Sequence, residues 1–134
     1  MAELDDATRE ALEGRNFWHL ATVNPSGSPQ VTTVWIMTRD GKIVVNSALG
    51  RKKPRNIAHD PRVALSFHET KPDGGYHSFT IQGHVVETVT GPQAEQDIDD
   101  LAQKYIGQSP YPWRAPGEQR VTFVIEPESV AIMG

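Results

Sequence analysis

Residues 31–45 read VTTVWIMTRDGKIVV, and this stretch decides the fold class. Runs rich in β-branched residues stand on both sides of Asp40-Gly41, and an Asp-Gly pair in that setting is a strong signal for a tight hairpin turn. The run before the turn and the run at residues 43–45 therefore predict two antiparallel strands.

Further strands are predicted on both sides of this hairpin. They cover residues 17–23, which end at a turn cluster over 24–29, then 63–67, 76–89 with Gly83 as a candidate bulge, 121–125, and a tail at 129–133. Short, hairpin-linked strands that outnumber the helices favour a small closed antiparallel barrel of about six strands. Side chains fill the interior of such a barrel, so we expect a ligand to bind outside it, in a groove.

Two short helices are predicted in the first half of the chain. The first covers residues 4–13 and ends at Gly14, a residue suited to the left-handed turn that closes a helix. The second has Pro54 at its first position, where a missing N–H has no consequence, and it ends before Pro61.

A third helix is predicted from near Pro92 to Gly107, because its apolar residues recur at helical spacing. Its opposite face is acidic. We interpret Asp97, Asp99 and Asp100 as part of that solvated face.

Composition narrows the class of protein. The 134 residues include no Cys, and 13 basic against 17 acidic residues give a net charge of −4. We therefore expect one domain over residues 1–134, no disulfides, and neither nucleic acid nor a membrane as the main partner. No apolar run is long enough to span a bilayer and residues 1–9 are acidic, so the expected location is the cytoplasm. The five His residues lack the spacing of metal ligands, and no metal site is predicted.

The densest chemical signal is a basic run, with four cations within residues 51–55 of an acidic chain. It lies at the predicted start of the second helix, where free N–H groups and the helix dipole both favour an anion. Asn46, Ser47 and Gly50 precede it at a strand end and supply small polar or flexible positions where a phosphate could approach the backbone. The run therefore predicts a phosphate site, although a solvated basic loop is the simpler alternative.

The order of residues 17–23, 27–32, 46–47, 51–56 and 60–65 resembles that of the flavin and deazaflavin oxidoreductases related to pyridoxamine phosphate oxidase. More narrowly, it is similar to the subgroup that depends on coenzyme F420. The resemblance implies a mainly β fold, a split antiparallel barrel with short flanking helices. It also implies a homodimer, with the cofactor in a groove at the subunit interface.

The same resemblance implies which residues hold the cofactor. Arg51, Lys53 and Arg55 would bind its phosphate, Asn56 would support them, and Lys52 would be available to an acidic tail. Asn46 and Ser47 would lie beside the phosphate at the strand end. The segment under the ring comprises Gln30, Val31, Thr32, Thr33 and Val34. For Val31 and Val34, simple packing in the barrel is an equal alternative. The sequence departs from the family in having Pro54 inside the basic run and Trp35 after the ring segment.

The reaction implied is hydride transfer from reduced coenzyme F420 to an electron-poor or conjugated small molecule, the cofactor carrying the difficult step. FMN is the alternative cofactor, and a non-catalytic carrier of coenzyme F420 is the alternative role. Tyr76 and His77 are candidate proton donors, although either could equally be a structural residue. Tyr111 and Trp113 could wall the acceptor pocket or pack on the preceding helix.

Overall fold

The computed structural model describes residues 2–134, in which it has three helices and seven strands. In chain order they are α1 (Asp6–Glu13), β1 (Trp18–Val23), β2 (Pro29–Val34), β3 (Ile36–Arg39), β4 (Lys42–Ala48), α2 (Lys52–His59), β5 (Arg62–Thr70), β6 (Tyr76–Thr90), α3 (Pro92–Ile106) and β7 (Arg120–Met133). Over this described range, no helix combines the length and the apolar character needed to cross a lipid bilayer.

The strands form one antiparallel sheet in the order β2-β1-β5-β6-β7-β4-β3. The two edge strands of the sheet, β2 and β3, are separated only by Trp35 and so form one bent segment. This segment belongs to both edges, and the sheet therefore closes into a barrel with six strand positions. The hairpin is as predicted, because Asp40 and Gly41 both have positive φ, at 52° and 77°. The expected antiparallel barrel is confirmed.

Apolar side chains fill the barrel, as the alternating burial along β5 shows. Trp18 is fully buried, stacks on Phe67 with ring centroids 5.3 Å apart, and donates from its indole nitrogen to the Ala11 carbonyl at 3.2 Å. This hydrogen bond fastens α1 to the barrel. Because the interior is occupied, ligands are left with the outer surface, as expected.

Two details of the first two helices differ from the sequence prediction. Gly14 ends α1 with φ −69°, in extended rather than left-handed backbone, because the chain turns straight toward β1 and Asn16 bonds to the Ala11 carbonyl. The second helix begins at Lys52, so Pro54 stands at its third position. Proline is tolerated there because the N–H groups of the first turn have no intrahelical acceptor.

The prediction for the acidic face of α3 was wrong at Asp97. This residue is fully buried, and its carboxylate accepts hydrogen bonds from Arg39 at 2.6 Å, Gln93 at 2.8 Å and Thr122 at 2.7 Å. The helical spacing of Asp97 cannot reveal that its carboxylate pairs with residues on strands elsewhere in the chain. Gly107, in contrast, ends α3 in the left-handed conformation, at φ 66°, as predicted.

The predicted bulge at Gly83 is confirmed, since the pairing of β6 with β7 shifts between Gln82 and Gly83. A Cβ at Gly83 would lie 2.4 Å from the backbone oxygen of Glu126, so no side chain fits without moving the strand. We expect Gly83→Ala to lower the free energy of unfolding by about 2–3 kcal/mol, measured by urea denaturation. The exposed neighbour is the control, because Gln82→Ala should change it by less than about 0.5 kcal/mol. Equal effects of the two substitutions would contradict this account of the bulge.

Candidate functional site

A groove lies outside the barrel, between the start of α2, the bend from β2 to β3, and α3. It encloses about 220 Å³. Its lining consists of Thr33, Val34, Trp35, Asn46, Ser47, Arg51, Lys53, Ile98, Leu101, Tyr111, Trp113 and Arg120. Half of the twelve predicted cofactor-binding residues are in this lining, namely Thr33, Val34, Asn46, Ser47, Arg51 and Lys53.

Three cations meet at one end of the groove. Arg51 is half-exposed, Lys53 is partly buried, and Arg120 is almost completely buried. Burial lowers the pKa of Lys53, and the nearby charges of Arg51 and Arg120 lower it further. Such a cluster is stabilised by a bound anion, because the anion removes the repulsion among the cations.

The backbone at this end of the groove is also open to an anion. Arg51 caps α2 without a side-chain hydrogen bond to the helix, and proline supplies no N–H at the third position. Gly50 has φ +92°, a conformation that lets the chain turn sharply from β4 into the helix. The N–H groups of Lys52 and Lys53 in the first turn have no intrahelical acceptor and favour negative charge.

Arg120 was missed by the sequence reasoning, although an arginine opening the apolar run of residues 121–125 was a usable signal. Its Nε donates to Asn46 Oδ1 at 2.9 Å, and its guanidinium lies 5.2 Å from the centre of the Tyr111 ring. Its Nη1 is buried and has no hydrogen-bond partner. Glu118 Oε2 lies only 3.2 Å from Nη1, close enough for charge attraction but without hydrogen-bond geometry. Arg120 therefore brings a buried positive charge, paired with Glu118, to the lining of the groove.

Asn46 orients this arginine. Its side-chain nitrogen donates to the Ala94 carbonyl and to Thr122 Oγ1, both at 3.0 Å, which leaves its oxygen facing Arg120. Asn46 thus connects β4, α3 and β7 at the cation end of the groove.

An aromatic cluster forms another wall. Trp35 stacks on Tyr105 with ring centroids 5.4 Å apart and 5° between the ring planes, and it meets the edge of Tyr111 at 6.1 Å. Trp113 lies 6.1 Å from Trp35 and is 62% exposed. The hydroxyl of Tyr105 donates to the Asn16 carbonyl at 2.7 Å, which fixes the base of the cluster. An exposed indole beside partly buried rings offers a flat surface to a planar ligand.

Two of the predicted residues hold α2 against the barrel instead of lining the groove. Asn56 is 1% exposed, and its side-chain nitrogen lies within 3.1 Å of acceptors on Thr22 and Asn24 and 3.3 Å from Gln30 Oε1. This places Asn56 in a supporting position, and Gln30 with it.

Other predicted residues lie outside the groove lining. Val31 is 64% exposed, which excludes the barrel-packing alternative for it. Val34, in contrast, is in the lining and is also a core residue, at 5% exposed. Thr32 is partly buried and its hydroxyl has no hydrogen-bond partner. Lys52 and Arg55 are exposed on α2.

Tyr76 and His77 lie at the start of β6, away from the groove. His77 lines a second cavity of about 370 Å³, where its Nδ1 is 3.6 Å from Glu69 Oε1. The Tyr76 ring stacks near His68, with centroids 6.1 Å apart. A single chain therefore does not bring these two residues to the groove. Among residues 2–134, no group of His, Asp and Glu side chains is arranged to hold a metal ion.

The lowered pKa of Lys53 predicts a pH dependence of anion binding. An anion favours the protonated amine, so the dissociation constant for inorganic phosphate should rise as pH passes through the lowered pKa, below the ordinary value of 10.5. The measurement is intrinsic tryptophan fluorescence from pH 7.5 to 10.5. The control is Lys53→Arg, which keeps its charge and should bind equally well across that range. A wild-type affinity that stays constant up to pH 10 would show that Lys53 does not contact the anion.

Comparison with known proteins identifies the family and supports the fold. The chain matches the family model described as pyridoxamine 5'-phosphate oxidase over residues 4–134. A solved structure of an F420 reductase is 30% identical with a TM-score of 0.77, covering 92% of this chain and 94% of its own. No curated protein matches.

Two more distant solved structures share the fold. An FAD-binding protein from Mesorhizobium loti is 22% identical with a TM-score of 0.67, over 96% of this chain and 94% of that protein. A heme binding protein from Mycobacterium smegmatis is 20% identical with a TM-score of 0.68, over 95% of this chain but 51% of that one. Because the family model matches nearly the whole sequence, this chain is a split-barrel member of the pyridoxamine 5'-phosphate oxidase family.

Proposed function

We propose that a homodimer of this chain binds coenzyme F420 in the groove and catalyses hydride transfer from the reduced cofactor to an electron-poor or conjugated small molecule. The observation that carries the proposal is the meeting of Arg51, Lys53 and Arg120 beside an aromatic wall. The similarity to an F420 reductase at 30% identity supports the choice of cofactor.

The residues of the groove fit an anionic group attached to a planar ring. The three cations, Arg51, Lys53 and Arg120, would hold the phosphate. Each charge-assisted hydrogen bond contributes about 1.5–3 kcal/mol, so two or three of them suffice for micromolar binding. Lys52 and Arg55, exposed on the same helix, would attract the acidic tail that coenzyme F420 has and FMN lacks.

The remaining residues would position the ring and the acceptor. The backbone and outward side chains of β2 would lie against the ring, with Val31 and Thr33 on that exposed side. Trp35, Tyr111 and Trp113 would bound the space where the acceptor enters. The reduced deazaflavin, when bound, supplies the hydride; the chain contributes binding, orientation and exclusion of water.

The groove of one chain is small, which supports the dimer. Ligand sites generally enclose about 300–1,000 Å³, and the groove encloses about 220 Å³. A second copy would enlarge the site and cover exposed apolar residues such as Val31. Tyr76 and His77 are proposed as proton donors on this basis, since they would reach an acceptor only across a subunit interface.

Separate titrations with coenzyme F420 and FMN test the cofactor, with intrinsic tryptophan fluorescence as the signal. We expect tighter binding of coenzyme F420, and a loss of at least tenfold in affinity for Lys53→Ala. The matched control is Arg15→Ala, which removes an equally positive but exposed side chain far along the sequence from α2. Tighter binding of FMN, or equal affinities of Lys53→Ala and the wild type, would overturn the assignment.

Mass and turnover test the other two parts of the proposal. Light scattering should give about twice the 14.8 kDa of one chain. Quinones, enones and nitro compounds, supplied with reduced coenzyme F420, should include an acceptor that is reduced. Tight binding without turnover of any acceptor would instead support the carrier role.

A further inference from the structure

Glu118 places a negative charge beside two of the three cations, Arg51 and Arg120. Its Oε1 accepts a hydrogen bond from Arg51 at 3.2 Å, and its Oε2 lies 3.2 Å from Nη1 of Arg120. The side chain is only 8% exposed, so water screens its charge weakly. The groove therefore sets three positive side chains against one carboxylate.

One carboxylate does not neutralise three cations, so this end of the groove keeps a net positive charge. Arg120 has a side-chain exposure of 4% and is paired with Glu118, which leaves the charge of Lys53 and part of that of Arg51 to attract an anion. An incoming phosphate would thus share the two arginines with Glu118. It would approach a carboxylate that repels each of its negative charges.

The two kinds of phosphate ester respond differently to that repulsion. A phosphomonoester carries a charge of about −1.5 to −2 at neutral pH, since its second pKa is about 6. A phosphodiester has only one ionisable oxygen and carries a single charge. We propose that Glu118 makes this site select phosphodiesters over phosphomonoesters, an assignment that rests on the proposed function and locates cofactor choice at the phosphate.

The size of the effect follows from Coulomb's law. Across roughly 6 Å at an effective dielectric constant of about 20, an additional negative charge would be disfavoured about a hundredfold. The half-exposed Arg51 and nearby solvent weaken that repulsion, so we expect a change of about tenfold. FMN, a phosphomonoester, is then disfavoured relative to coenzyme F420, a phosphodiester.

The test compares changes in two dissociation constants, those for FMN and coenzyme F420, at pH 7.5. Glu118→Gln keeps the shape and an oxygen that accepts from Arg51 but removes the charge. It should tighten FMN binding about tenfold more than coenzyme F420 binding. Thermal melting confirms that the variant is folded.

The second variant, Arg51→Gln with Glu118→Gln, removes both partners of the ion pair. It restores the charge balance of the wild type, so the ratio of the two dissociation constants should return close to the wild-type ratio even though both ligands bind more weakly. This variant leaves one cation, Arg120, without the carboxylate instead of two, so it provides the test if the single variant does not fold.

The outcomes separate the two claims. If the wild type binds the cofactors but Glu118→Gln changes both affinities by the same factor, the selection role is overturned and the proposed function is not. A double variant that does not restore the wild-type ratio also overturns the selection role. If the wild type binds neither cofactor, the proposed function fails and the selection role fails with it.

Discussion

Asp97→Ala is expected to lower the free energy of unfolding by about 3 kcal/mol, the largest stability change we predict for this chain. The carboxylate is fully buried and holds together three elements, because Arg39 ends β3, Thr122 lies on β7 and Asp97 itself lies on α3. Its removal leaves a buried hydroxyl and a partly buried guanidinium without an acceptor. Arg39 is 34% exposed and regains some hydration, which keeps the loss below that of a fully buried pair.

Urea denaturation of a matched pair of variants measures this effect. Asp100 lies on the same helix and is exposed, so Asp100→Ala should change the free energy of unfolding by less than about 0.5 kcal/mol. Equal losses for the two variants would mean that the helix needs acidic residues in general and that the buried network contributes little.

The network also gives stability a defined pH dependence. Burial alone would raise the pKa of Asp97, but hydrogen bonds from Arg39, Thr122 and Gln93 outweigh burial and hold the pKa below its usual value. A carboxyl with a lowered pKa in the folded state adds stability above its unfolded pKa, and this stability is lost as pH falls through the folded pKa. Below about pH 4 the difference in the free energy of unfolding between the wild type and Asp97→Asn should therefore disappear.

The strand pattern of this protein was readable from the sequence because the signals are local. Asp40-Gly41 specifies its own turn, and the β-branched runs on each side favour strands whose side chains alternate between the two faces of the sheet. Closure of the barrel follows from a single bend at Trp35, and runs of apolar residues indicated the strands but not this bend. The chain direction at Gly14 was misjudged because a bond from Asn16, two residues onward, decides it.

The site was predicted in part, and the missing parts are those that depend on distant residues. The basic run drew attention to Arg51 and Lys53 because they are adjacent in sequence. Arg120 lies about 70 residues away, and only the pairing of β4 with β7 brings it to Asn46. Asp97 was misassigned for the same reason, since its partner Arg39 lies on β3, far from α3 in the sequence.

Arg120→Met is expected to weaken binding of a phosphorylated flavin by at least thirtyfold, the largest effect on binding that we predict. Arg120 is the most buried of the three cations, and its guanidinium lines the groove, where it would bind the phosphate. A charged hydrogen bond contributes about 1.5–3 kcal/mol, which corresponds to roughly ten- to more than hundredfold in affinity. Methionine keeps the packing of the aliphatic part of the side chain while removing the charge and the donors.

Riboflavin and FMN form the matched ligand pair for this measurement, since they differ only in the phosphate. If Arg120 binds the phosphate, Arg120→Met should weaken FMN binding strongly and change the affinity for riboflavin by less than about threefold. Arg120→Lys should recover part of the FMN affinity through its charge alone. Equal losses for both ligands would instead mean that the arginine acts through the Tyr111 ring, 5.2 Å from its guanidinium, and supports the aromatic wall. The ratio of the two losses thus decides whether Arg120 acts on the anion or on the ring.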